Sequence, residues 1–136
     1  MKNNYFEILY TAAIKGFNNA YVPYSKFRVG ASLITKNGTL YYGCNVENSS
    51  YGLTNCAERT ALFKAISEGV KKDDIVAFLI IGDTKDPINP CGACRQVMSE
   101  LLNKDTIVYL TNLKKEVKEV KVNDLLPFAF DEGDLK

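Results

Sequence analysis

Residues 75–81 read Ile-Val-Ala-Phe-Leu-Ile-Ile, a run with no polar side chain. So short and unbroken an apolar run is the signature of a strand covered on both faces. Such a strand needs one helical layer above it and another below, and the neighbouring segments supply them. Residues 5–17 place Tyr5, Leu9, Ala12, Ala13 and Phe17 at helical spacing. Residues 56–68 repeat the pattern with Ala57, Ala61, Leu62, Ala65 and Ile66, and Gly69 is a natural stop. Pro90 suits the first turn of a third helix through Leu102, where its missing N–H would be unpaired anyway.

Residues 28–35 and 39–46 are strand-like runs around Lys36-Asn37-Gly38. Asn-Gly in that setting predicts a hairpin with positive φ at both central residues. Residues 106–111 form a further buried strand, 117–122 alternate weakly, and Asn123 is placed to cap a helical turn before Pro127. The expected fold class is α/β, a three-layer α/β/α sandwich around a mixed sheet of about five strands. No repeat or linker divides residues 1–136, so one domain is expected.

Composition narrows the function. Hydrophobic residues make up 46% and charged residues 24%, with a net charge of +1. Those are globular proportions with no electrostatic footprint for nucleic acid or anionic lipid. No apolar run approaches the ~18 residues of a membrane span. The N-terminus lacks a signal-peptide pattern, and four cysteines without one point to a reducing, cytoplasmic setting.

The chemistry sits in two motifs, Asn55-Cys56-Ala57-Glu58-Arg59 and Pro90-Cys91-Gly92-Ala93-Cys94-Arg95-Gln96. With no histidine in the chain, a metal site must be built from thiolates, and Glu58 is the natural proton carrier at neutral pH. Cys91 and Cys94 share a helix face and can grip one ion. Cys56 and Glu58 are about 200° apart around a helix, so they converge only beyond its first turn. Both helices would then aim their positive N-termini at the metal. Arg59, and Arg95 in the second motif, can offset thiolate charge. Three protein ligands leave a tetrahedral position for water, as in catalytic zinc. Two other readings stay open on spacing alone: a structural four-cysteine site that includes Cys44, and a redox C-x-x-C.

These residues resemble the zinc-deaminase signature, with cysteine where many relatives have histidine. Three further stretches are similar to cytidine deaminases of the small homotetrameric type: Val22-Pro23-Tyr24-Ser25-Lys26-Phe27, Gly43-Cys44-Asn45-Val46-Glu47-Asn48, and Cys56-Ala57-Glu58-Arg59-Thr60-Ala61. The resemblance runs from about residue 5 to about 130, with the motifs in the same order. It implies one Zn2+ per chain on Cys56, Cys91 and Cys94. It implies that Glu58 takes a proton from the attacking water, passes it to N3 and later serves the departing ammonia. Asn45 and Glu47 would hold the ribose 3′-hydroxyl, Phe27 would pack on the base, and the Ala57 N–H would hold O2. Arg59 and Gln96 would support the zinc site. Tyr51 and Phe130 would reach a neighbouring subunit's pocket in a homotetramer, with Phe128 as the alternative ring. The implied activity is deamination of cytidine and 2′-deoxycytidine in pyrimidine salvage, with a small nucleoside as partner and neither nucleic acid nor membrane. The alternatives are another cytosine-containing nucleoside, such as an antibiotic, or a non-catalytic zinc module.

Overall fold

The computed structural model describes residues 4–135. Helix α1 (Phe6–Asn19) is followed by β1 (Val29–Thr35), β2 (Leu40–Cys44), α2 (Ala57–Ser67), β3 (Ile75–Gly82), α3 (Gly92–Leu101), β4 (Ile107–Asn112), β5 (Val117–Lys121) and α4 (Val122–Leu125). Short 3-10 turns lie at Tyr51–Leu53, Lys72–Asp74 and Glu132–Leu135. The strands form one sheet in the order β2-β1-β3-β4-β5. Only β3 and β4 pair in parallel, with α3 as their crossover; the other pairs are antiparallel. This is the three-layer mixed sheet that the sequence implies.

The apolar run explains the layers. On β3, Phe78 and Ile80 pack with Ala61, Leu62 and Ala65 of α2 and Met98 of α3. The alternate residues Ala77, Leu79 and Ile81 pack with Phe6, Leu9, Ala13 and Phe17 of α1. Period-two alternation in a strand sends successive side chains to opposite faces, so an unbroken apolar run serves both. Phe78, Leu79, Ile80 and Ile81 are fully buried, each contributing roughly 1.5–3 kcal/mol of transfer free energy. At the far edge, β5 carries Lys118, Glu119 and Lys121 exposed, charges that blunt pairing with another chain.

Two local expectations are corrected. In the hairpin turn Gly38 has φ 88°, whereas Asn37 is not among the positive-φ residues. Gly38 N donates to Thr35 O at 2.9 Å, and the Asn37 Oδ1 accepts from Thr39 N at 3.2 Å. The loop is one residue longer than a two-residue turn, so only its last position must turn left-handed. Asn123 lies inside α4 rather than capping it; Asp124 instead accepts from Lys121 N at the cap. Among the described residues no helix is long and apolar enough to cross a membrane.

Candidate metal centre and active site

Three loops are stitched side by side at one end of the sheet. Isolated bridges join Tyr21 to Val46 in parallel and Val46 to Asn55 in antiparallel. Their hydrogen bonds include Tyr21 N to Asn45 O at 3.0 Å and Val46 N to Asn55 O at 2.9 Å. The loop after α1, the end of β2 and the entry to α2 are therefore held in register. Gly43 lets α2 come close to β2, since a Cβ there would lie 2.7 Å from Ala61 N.

Cys56 and Cys91 are the N-cap residues of α2 and α3, both with extended backbone. The Sγ atoms of Cys56, Cys91 and Cys94 all lie within 4.8 Å of one another, and those of Cys56 and Cys91 are 3.8 Å apart. Two thiolates about 2.3 Å from a tetrahedral zinc are about 3.8 Å apart, so the spacing fits that ion. Cys44 stands outside the cluster: it pairs with Gly30 in the β1–β2 ladder, and burial pushes its thiol pKa up. Cys44 is therefore not placed to be a fourth ligand, and three clustered thiols remain that could hold an ion.

The electrostatics are uneven. Arg59 Nη2 donates to Cys56 Sγ at 3.3 Å. The Cys94 thiol donating to Cys56, together with Arg59, pulls the Cys56 pKa down to about 5. Cys94 moves the opposite way, held protonated by that bond and by burial. Glu58 is 4% exposed. Burial, with a smaller contribution from the charge of Cys56, pushes its carboxyl up to about 7. The Nε of Arg59 is buried with no hydrogen-bond partner among the described residues, so a donor in this pocket is still unspent. Three sulfur donors, a buried carboxyl with a pKa near neutrality and two positive helix ends make a site suited to metal-assisted hydrolysis.

A family model described as the cytidine and deoxycytidylate deaminase zinc-binding region matches residues 4–111. The chain belongs to this deaminase family. It is 56% identical over 129 residues to a cytidine deaminase of Halalkalibacterium halodurans, covering 95% of this chain and 96% of the relative. It is 54% identical to one of Sporosarcina psychrophila, covering 95% and 93%. Among solved structures, a cytidine deaminase from Burkholderia pseudomallei superposes with a TM-score of 0.89 at 49% identity, covering 96% and 100%.

In this deaminase the other expected site residues are placed as follows. Asn45 spends its side chain on the backbone, accepting from Val29 N at 3.0 Å and donating to Phe27 O at 2.8 Å. The Glu47 carboxylate accepts from Tyr24 N at 3.0 Å, Ser25 N at 3.1 Å and the Ser25 hydroxyl. Ser25 Oγ in turn accepts from Phe27 N at 3.0 Å. Asn45, Glu47 and Ser25 thus fasten the loop that presents the exposed Phe27. Tyr51 is exposed, and with Glu47, Ser25 and Tyr24 it lines a cavity of about 410 Å³. Ala57 is buried at the first position of α2, where an N–H has no intrahelical partner.

Two residues of the second motif turn away from the sulfurs. Arg95 donates to Pro90 O at 2.9 Å and Leu125 O at 3.0 Å. Gln96 donates to Phe130 O at 3.0 Å rather than to a cysteine sulfur. Sequence reading did not single out Ser25, although a serine two residues after proline is a common loop fastener.

Proposed function

We propose that this chain hydrolyses cytidine and 2′-deoxycytidine to uridine and 2′-deoxyuridine, releasing ammonia. The observation that carries the reading is Glu58, a buried carboxyl with a pKa of about 7, in the first turn of α2 beside the three-sulfur cluster. The 56% identity to a named cytidine deaminase supports the same substrate class.

Cys56, Cys91 and Cys94 hold one zinc ion. Bound there, zinc supplies Lewis acidity that brings water's pKa toward neutrality. Glu58 takes a proton from the water that adds to C4 and delivers it to N3 of the base. It then takes the remaining proton from the added hydroxyl and gives it to the 4-amino group, so that the C4–N4 bond breaks and ammonia leaves a C4 carbonyl. A carboxyl near pKa 7 both accepts and releases protons at neutral pH, worth roughly 10²–10⁴-fold. Arg59 neutralises part of the thiolate charge. Phe27 covers the base, the Ala57 N–H holds O2, and Asn45 and Glu47 take the ribose 3′-hydroxyl. Asn45 has a second N–H and Glu47 further lone pairs for it.

The exposed Tyr51 and Phe130 complete a neighbouring subunit's pocket in a homotetramer of this one-domain chain, residues 1–136. Pyrimidine salvage in the cytoplasm is the setting this chemistry suits. The test is conversion of cytidine to uridine, followed by ultraviolet absorbance, with and without a zinc chelator. Glu58→Gln keeps zinc and fold but loses turnover by about 10²–10⁴-fold. Turnover at the wild-type rate in that variant, or no conversion by the zinc-loaded wild type, overturns the proposal.

A further inference from the structure

Cys94, Arg95 and Gln96 are consecutive on α3, yet the structure gives them three destinations. Cys94 enters the sulfur cluster. Arg95 donates to Leu125 O, where the chain leaves α4. Gln96 donates to Phe130 O, five residues further on. The segment Leu126-Pro127-Phe128-Ala129-Phe130 is therefore held to the helix that carries a metal ligand at Leu125, the residue before it, and at Phe130, its last residue. Among the described residues, Gln96 is the one side chain of another element that hydrogen-bonds the backbone of 126–130.

Between the two fastenings the segment is strained. Phe128 has φ 57°, a left-handed conformation that disfavours a side chain with a Cβ by roughly 1–2 kcal/mol. Its ring is fully exposed and so gains no burial in return. A cavity of about 860 Å³ opens beside it, lined in part by Leu126, Pro127, Phe128 and Ala129. Apolar packing therefore does not impose the strained elbow. Such conformations persist only where the surroundings over-determine them, and the two bonds to α3 are what the structure offers. Arg95 adds a further link, because its Nε also holds Pro90 O, one residue before Cys91. One guanidinium thus ties the metal-binding turn to the start of the C-terminal segment.

We propose that Arg95 and Gln96 are positioning residues forming a two-point clamp, which couples the Cys91–Cys94 turn to the C-terminal segment. The clamp stands on the geometry above; its part in turnover rests on the deaminase reading. Removing the Gln96 donor frees one end, and shortening Arg95 to a single ammonium forces a choice between Pro90 O and Leu125 O.

The test uses the full chain loaded with zinc. Chymotrypsin cleavage after Phe128 and Phe130 is followed by mass spectrometry. Zinc loss to a chelator and KM and kcat for cytidine are measured alongside. In Gln96→Glu, and in Gln96→Met should the first fold poorly, cleavage accelerates about tenfold, the weight of one hydrogen bond. Zinc per chain stays at the wild-type value, and KM rises more than kcat falls. In Arg95→Lys, cleavage and zinc loss both accelerate. Wild-type cleavage rates in these variants, or faster cleavage with an unmoved KM, overturn the clamp's positioning role. A wild-type chain inert toward cytidine sinks the deaminase reading and the role in turnover with it, while the cleavage rates still decide whether the clamp exists.

Discussion

Arg59 reaches back one turn of α2 to place its Nη2 3.3 Å from the Cys56 sulfur. A cluster of three thiolates around a divalent ion keeps a net negative charge, and this guanidinium is the cation the structure sets against it. Arg59→Gln should retain the fold, by circular dichroism, and weaken zinc binding by about 10–100-fold in competition with a chromogenic chelator. Unchanged zinc affinity would remove Arg59 from the metal site.

Cys44 makes a different prediction from the clustered cysteines. Its place in the β1–β2 ladder, outside the sulfur cluster, means that Cys44→Ala should leave bound zinc at the wild-type amount per chain. Cys94→Ala should lose it. Elemental analysis of freshly purified protein separates the two, and zinc loss from the Cys44 variant would revive a four-cysteine centre.

The Glu47 carboxylate is held below its ordinary pKa of 4.5, chiefly by the hydroxyl of Ser25, with the Ser25 and Tyr24 amides adding to it. A depressed folded-state pKa means that the fastening is complete above 4.5 and is lost as pH falls through the lower folded value. The amide shift of Ser25 in an acid titration by NMR should therefore have its midpoint below 4.5. Ser25→Ala should move the Glu47 midpoint upward, and identical midpoints in the two proteins would show that the hydroxyl does not hold the carboxylate.

Gly43 has no room for a methyl group. Its Cβ would lie 2.7 Å from Ala61 N and 2.9 Å from Thr60 Cβ, and helix backbone cannot yield as a flexible side chain does. Gly43→Ala should destabilise by about 1–3 kcal/mol, the range for an overpacked core, and thermal unfolding should show a lower Tm. Because α2 carries Cys56 and Glu58, zinc affinity should fall with it. An unshifted Tm would mean that α2 is free to move away from β2.

Legibility in the sequence followed the range of the interaction. Cys91 and Cys94 are three apart, so one turn of helix dictates that they share a face. The run at residues 75–81 serves two faces by strand geometry alone. The hairpin was legible as a hairpin, but its turn differed because one extra loop residue relieved Asn37 of a left-handed backbone. The partner of Gln96 was hidden for a related reason: a long amide two residues after Cys94 has many destinations, and the one taken, Phe130 O, depends on where the C-terminal segment runs. The hold of Ser25 on Glu47 spans 22 residues and is equally silent in the local pattern.

By itself the sequence determined the fold class, the sulfur character of the metal site and the naming of Glu58 as candidate proton carrier, because spacing, periodicity and the lack of histidine are properties of the chain. Only the tertiary structure decided that Cys44 stays out of the cluster, that Arg59 rather than Arg95 meets sulfur, and that Arg95 and Gln96 hold the C-terminal segment. Those outcomes depend on which distant backbone comes within about 3 Å of a long side chain, and that distance is set by how helices seat on a sheet.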